Sequence, residues 1–344
     1  MSSTYRPGYK WGEYQVTQCY SDFQVRTVLV LQKQEALDQQ RDQVMAAFHQ
    51  LLPGVLVTMA GAVEEVPESA DFDAVICPTL PWLPQALERL GSYRWIHFLS
   101  AGVDLIWDMP FPKGHVILTR SSGVHGAPIS EYVIGALLYF YRGLDRFAHQ
   151  AMERRWQRTW LEELTGKRML ILGMGAIGST IAERVRVFGV EVTGVQRRPS
   201  SDHTHVDVIA LEALKDALPT TDILVVCLPL TETTRGLVDS DLLSRLRPGA
   251  LLIDVSRGGV VREEAVLEAL ESGALRAAAL DVFEQEPLPE SSPLWAHPQV
   301  LLTPHVSSST PQYMPRALEI FAANARALEA GEELVTPVDA QAGY

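Results

Sequence analysis

One nine-residue stretch constrains this 344-residue chain more than any other: Leu172-Gly-Met-Gly-Ala-Ile-Gly-Ser-Thr180. It follows the apolar run Arg168–Leu172 and opens a segment, Ala176 to Phe188, whose apolar residues recur at helical spacing. The three glycines therefore fall on a strand-to-helix turn, the context of a dinucleotide site. Gly173 permits the tight turn, Gly175 lets a pyrophosphate approach the backbone, and Gly178 lets the helix pack closely on its strand. The unpaired N–H groups of the first helical turn face such phosphates, so Met174, Ala176 and Ile177 join the glycines as candidate cofactor contacts. The plain alternative is a glycine-rich βα turn with no ligand.

Size and charge narrow the partners. The chain is long enough for two ordinary domains, and 47% hydrophobic with 21% charged residues is a globular composition. A net charge of -13 argues against a nucleic-acid surface, which needs clustered Lys and Arg. Small anions remain possible where cations gather in a cleft. The three cysteines, Cys19, Cys77 and Cys227, are widely spaced and form no C-x-x-C pair, which reads as thiols in a reducing compartment. The first residues lack the apolar core of a secretory signal, and Val133 to Tyr141, the longest apolar run, is far short of the ~20 residues needed to cross a bilayer. A cytoplasmic protein without a membrane partner is expected.

From Val25 the pattern is βα. Strands are expected at Val25–Leu31, Val55–Met59, Phe72–Cys77 and Arg94–Leu99, with helices at Glu35–Leu51 and Pro81–Leu90. Such alternation implies a parallel sheet covered on its two faces. Residues 1–24 are polar and aperiodic and receive no role. The turn Ser100-Ala-Gly-Val-Asp104 offers backbone N–H groups to an anion, or is only a turn. A crossover near Gly123–Gly126 leads into one long helical segment from Ile129 toward Trp156, with Pro128 at its start. After the glycine turn, further strands are expected at Glu191–Val195, Ile223–Leu228, Leu251–Val255 and Arg276–Asp281. Helices fit Leu211–Leu218, Asp239–Leu246, Glu263–Ser272 and, last, Pro315–Ala330.

The end of the Glu191 strand bears on the cofactor. An NAD site wants a carboxylate there for the ribose 2′-hydroxyl. Here the residue is Gln196, followed by Arg197 and Arg198, which can pair with a 2′-phosphate that a carboxylate would repel. NADP(H) is favoured, with NAD(H) possible. As a bland alternative, the two arginines are simply solvated.

Three residues near strand ends carry possible chemistry: Arg257, Glu286 and His305. An arginine fork binds carboxylates bidentately, and a histidine titrates near working pH. A carboxylate beside that histidine favours imidazolium and fixes the ring. Each has a duller reading: Arg257 as an ordinary ion-pair partner, Glu286 as a solvated carboxylate beside Glu284 and Glu290, His305 as a structural histidine.

Together these motifs resemble the D-isomer-specific 2-hydroxyacid dehydrogenase family. The resemblance is carried by Ser100–Asp104, the glycine turn, Val255-Ser-Arg-Gly-Gly-Val260, Ala279-Leu-Asp-Val-Phe283, Glu286-Pro287 and Thr303-Pro-His305. Pro293-Leu-Trp-Ala-His-Pro298, Val338-Asp339 and Gly343-Tyr344 are most similar to its glyoxylate/hydroxypyruvate reductase A type. The resemblance implies an α/β fold of two Rossmann-like domains. A doubly wound parallel-sheet cofactor domain, residues 125–308, would be inserted in a smaller flavodoxin-like substrate domain, residues 1–124 and 309–344. It implies hydride transfer between NADP(H) and a small 2-oxo acid. Arg257 would hold the substrate, His305 would exchange the proton, and Glu286 would hold His305 charged. Ser100, Ala101 and Gly102 would meet the substrate carboxylate, while Ser256 and Asp281 would meet the cofactor. Trp295 and Trp156 are candidate pocket walls, and a homodimer is implied. Asp254 stands where many members have Asn. Two other functions fit the same residues: a nucleotide-sensing binding protein such as a co-repressor, or a dehydrogenase of another small anion such as formate or phosphite.

Overall fold

The computed structural model describes residues 23–114, 116–197 and 206–338. Expectations that fall on residues 1–22, on Arg198 and on Asp339 to Tyr344 lie outside the described residues. The strands in chain order are β1 (Thr27–Leu31), β2 (Leu56–Ala60), β3 (Asp71–Cys77), β4 (Ser92–Phe98), β5 (Ile117–Arg120), β6 (Arg168–Leu172), β7 (Glu191–Gln196), β8 (Asp207–Ala210), β9 (Ile223–Val226), β10 (Ala250–Asp254), β11 (Leu275–Leu280) and β12 (Val300–Leu302). The α-helices are α1 (Gln34–Leu51), α2 (Leu83–Glu88), α3 (Gly126–Tyr141), α4 (Leu144–Met152), α5 (Ala176–Val185), α6 (Leu214–Ala217), α7 (Ser240–Ser244), α8 (Glu263–Ser272) and α9 (Tyr313–Ala330). None of the described helices is long and apolar enough to cross a membrane.

The chain divides into two compact units, one built from residues up to Val124 together with Pro311 onward, the other from His125–Thr310. The first holds a five-stranded parallel sheet in the order β2-β1-β3-β4-β5. Its central strands are near-continuous apolar runs because helices cover the sheet on each face. On one face α9 packs through Phe321, whose ring stacks on Trp95 at 4.4 Å and meets Phe48 of α1 edge-on at 5.9 Å. On the other, Leu29, Val75, Ile96 and Phe98 pack with Leu83 and Ala86 of α2. The segment after α9 runs along β5, with Arg120 N–H donating to Thr336 O and Val338 N–H to Leu118 O.

The second unit holds a seven-stranded parallel sheet in the order β12-β11-β10-β9-β6-β7-β8. From β6 the chain winds outward to β7 and β8, then returns to lay β9 on the opposite side, so the order reverses between β6 and β9. Ligands of open α/β sheets bind at the carboxyl ends of the strands at such a reversal. The register aligns Leu172 with Val195 and Val226, and Leu280 with Asp254 and Leu302. Residues that follow these positions therefore emerge along one edge.

Three differences from the sequence reading have local causes. The long helix expected from Ile129 toward Trp156 is two helices. It begins at Gly126, breaks at Gly143, whose φ of 60° is left-handed, and α4 ends at Met152. Strands β5, β8 and β12 have four, four and three residues, too few for a period to register in the sequence. The helix expected over Leu211–Leu218 has only Leu214–Ala217 as α-helix, flanked by tighter 3₁₀ turns that accommodate Pro219.

Candidate active site

The glycine turn begins where β6 ends. Gly173 takes a φ of 103°, and a Cβ on Gly178 would lie 2.0 Å from the Gly173 carbonyl oxygen, so α5 approaches its strand as only glycine allows. A Cβ at Gly175 would meet nothing within 4 Å, which leaves the face of the turn open to a ligand. The first-turn amides of α5 have no partner within the helix and point into that space. These residues fit a dinucleotide pyrophosphate. Gln196, at the end of β7, donates from Nε2 to Met174 O at 2.8 Å and so ties the end of that strand to the turn. Arg197 follows it, exposed.

Arg257 lies three residues past β10, half-buried, with Nη1 donating to Ser256 O at 2.8 Å. Its loop presses on the next one: a Cβ on Gly258 would stand 1.7 Å from Phe283 O. Ser256 donates through its backbone N–H and its hydroxyl to Asp254 Oδ1, which folds the loop back on the strand end. Burial raises the Asp254 carboxyl to about 7, with the Asp281 charge adding to it and the Ser256 bonds opposing it.

His305 and Glu286 meet. Glu286 Oε2 stands 2.9 Å from His305 Nδ1, and Glu286 Oε1 accepts the Phe283 N–H at 3.1 Å. The carboxylate is thus held at its two oxygens, one by backbone and one by the imidazole. Neighbouring Glu284 is used differently: its N–H donates to Glu263 Oε1 at the start of α8. His305 has a φ of 53°, left-handed and unfavourable for a residue with a Cβ. Its backbone holds that conformation by donating to Asp281 O at 2.8 Å.

Asp281 has a structural function that spacing alone did not reveal. Fully buried, its carboxylate accepts from Thr303 Oγ1, Val306 N–H and Ser307 N–H, so it anchors the turn that presents His305. Tyr132 of α3 meets Thr303 Oγ1 at 2.9 Å and extends the network. Nor did the sequence single out His125, at the amino end of α3. Burial first, then the charge of Arg257, holds its pKa down at about 4, so it is neutral at pH 7. No motif marks it.

Trp295 is 56% exposed, and its indole N–H donates to Pro289 O at 2.9 Å. Trp156, a candidate pocket wall, stands beyond α4 and is 96% exposed, so it walls nothing within its own unit. In the other unit, Ser100, Ala101 and Gly102 form the turn at the carboxyl end of β4, half-buried.

A doubly wound sheet with a glycine turn at its reversal, and with Arg257 and a Glu–His pair along the same edge, defines a nicotinamide-dependent dehydrogenase. The model of the D-isomer specific 2-hydroxyacid dehydrogenase NAD-binding domain matches residues 134–307, and the chain belongs to that family. It is 32% identical to the glyoxylate/hydroxypyruvate reductase A of Serratia proteamaculans, over 77% of this chain and 87% of the relative. Against that of Salmonella typhimurium it is 34% identical, over 77% and 86%. Among solved structures, the NADPH-dependent glyoxylate/hydroxypyruvate reductase of Sinorhizobium meliloti in complex with NADP and sulfate superposes with a TM-score of 0.80 at 28% identity, covering 93% of this chain and all of that one. A D-isomer specific 2-hydroxyacid dehydrogenase of Xanthobacter autotrophicus with NADPH gives 0.78 at 33% identity, over 92% and 99%.

Proposed function

We propose that this dehydrogenase reduces a small 2-oxo acid of the glyoxylate or hydroxypyruvate kind to the D-2-hydroxy acid, with NADPH preferred over NADH. The observation that carries the reading is the Glu286–His305 pair, 2.9 Å apart on the strand-end edge from which Arg257 also projects. A neutral Gln196 followed by Arg197, where an NAD site places a carboxylate, supports the choice of cofactor. Relatives named as glyoxylate/hydroxypyruvate reductases support the substrate class.

The Gly173–Gly178 turn would hold the NADPH, whose chemistry when bound would be to supply the hydride for the carbonyl carbon. The chain's own residues manage charge and protons. Arg257 pairs with the substrate carboxylate, with Ser100, Ala101 and Gly102 as further carboxylate contacts. His305 gives a proton to the carbonyl oxygen as negative charge develops there, and Glu286 keeps its imidazole oriented. Ser256 and Asp281 with its neighbouring backbone would be the residues to meet the nicotinamide.

Turnover of glyoxylate, hydroxypyruvate, formate and phosphite with each nicotinamide cofactor tests the reading. Glyoxylate or hydroxypyruvate reduction with NADPH is expected. Tight NADPH binding with no turnover would instead indicate a nucleotide sensor, and oxidation of formate or phosphite a different dehydrogenase.

A homodimer belongs to the same proposal. Helix α4 buries none of its residues within the unit, and Trp156 and Trp160 beyond it are 96% and 98% exposed. Exposed apolar surface of this kind marks an interaction site. Sedimentation of the wild type and of a Trp156→Ser, Trp160→Ser variant checks it: a dimer that becomes monomeric is expected.

A further inference from the structure

Past β4, the chain turns through Ser100, Ala101 and Gly102 without spending its donors. The N–H groups of these three residues have no acceptor among the described residues, although the residues are half-buried. Buried or half-buried backbone donors are ordinarily paired, so three in succession without an acceptor suit an anion.

What holds this turn open is Arg120. It ends β5, level with Phe98 in the β4–β5 register. Its backbone is fixed: its own N–H donates to Thr336 O, and the next residue's N–H, on Ser121, donates to Phe98 O. From there its side chain reaches the turn, where Nη1 donates to Ala101 O at 2.7 Å. The Ala101 carbonyl and the Gly102 N–H belong to one planar trans peptide and point in opposite directions. A carbonyl drawn toward Arg120 therefore turns the Gly102 N–H away from the guanidinium. The guanidinium also places a permanent positive charge next to these donors.

We propose that Arg120 is a positioning residue for substrate: it acts through the Ala101 carbonyl to aim the Ser100–Gly102 amides at the substrate carboxylate. This rests on the 2-oxo acid reading above. It gives a specific role to a residue that no motif in the sequence singles out, and one that makes no contact with the reacting atoms.

Steady-state kinetics with glyoxylate and NADPH test it, comparing the wild type with Arg120→Gln and Arg120→Met. The Met variant keeps the apolar stem and loses every donor, so KM for glyoxylate should rise by about ten- to a hundred-fold, the worth of one charged hydrogen bond. The Gln variant keeps a neutral donor and should show a smaller rise. Because the interaction binds ground state and transition state alike, kcat should change far less than KM in each variant. KM for NADPH should not move. A wild-type glyoxylate KM in either variant would overturn the inference, as would a fall in kcat at constant KM, and so would melting-temperature losses with kcat and KM failing together. If Arg120→Met does not fold, the Gln variant decides alone. A wild type that reduces no 2-oxo acid would bring down the functional reading, and this inference with it. A wild type that reduces glyoxylate while the variants keep its KM would bring down this inference only.

Discussion

Glu286 Oε2 lies 2.9 Å from His305 Nδ1 while the second oxygen of the same carboxylate holds the Phe283 N–H. The imidazole is therefore oriented from its Nδ1 side by a group that is itself anchored, which leaves Nε2 as the nitrogen able to serve a substrate. His305→Ala should lower kcat by ~10²–10⁴-fold, the loss typical of a missing general acid. Glu286→Ala removes the carboxylate that orients the ring. It should lower kcat by a smaller factor than His305→Ala, and steady-state kinetics check this: an unchanged kcat would remove Glu286 from that role.

Arg257 offers a fork that a lysine cannot reproduce. Arg257→Ala should reduce kcat/KM for glyoxylate by the equivalent of about 2–5 kcal/mol, the range for a charge deprived of its buried partner. Arg257→Lys should recover only part of that. Full recovery with Lys would show that charge alone, without bidentate geometry, suffices.

The Gly178 position tolerates no side chain, since a Cβ would stand 2.0 Å from the backbone oxygen of Gly173. Gly178→Ala must push α5 away from β6 and spoil the phosphate-facing turn. Calorimetry should show NADPH affinity lost or strongly weakened, together with a lower melting temperature. Retained affinity would mean that the turn does not contact the dinucleotide.

Asp254 links pH to stability. Its carboxyl is raised by burial to about 7 in the folded protein, against roughly 3.9 for an unfolded aspartate. Between those values the folded state holds a proton that the unfolded state has released, so folding stability falls as pH rises through this window. The penalty is complete above pH 7 and absent below about pH 4. Asp254→Asn keeps an acceptor for Ser256 and removes the titration. Thermal melting should show the variant more stable than the wild type at pH 8, with the gap closing toward pH 4. A gap that is constant with pH would refute the linkage.

Much of this molecule is legible in its sequence because the relevant signals are local. Helix α8 spans Glu263–Ser272 as its apolar spacing requires, and the glycine turn sits where a strand's apolar run gives way to helical spacing. Gly143 shows where such reading fails. Its neighbours keep a helical pattern, yet one left-handed residue separates α3 from α4, because glycine permits that conformation without requiring it. Strand β12 is three residues long and exists through its pairing with β11, a partner that no local pattern names. Nor does spacing reveal that Asp281 anchors the turn carrying His305, since its bonds span 22 to 26 positions.

The sequence by itself determined the residue types, the strand–helix alternation and the glycine turn, since these depend on propensities and periods that act over a few residues. Only the tertiary structure decided which strand ends stand level, that the Glu286 carboxylate reaches the His305 ring, and that Arg120 reaches back to Ala101. Those are pairings between residues distant in the chain, and they are selected by sheet register and burial, which exist only after the chain has folded.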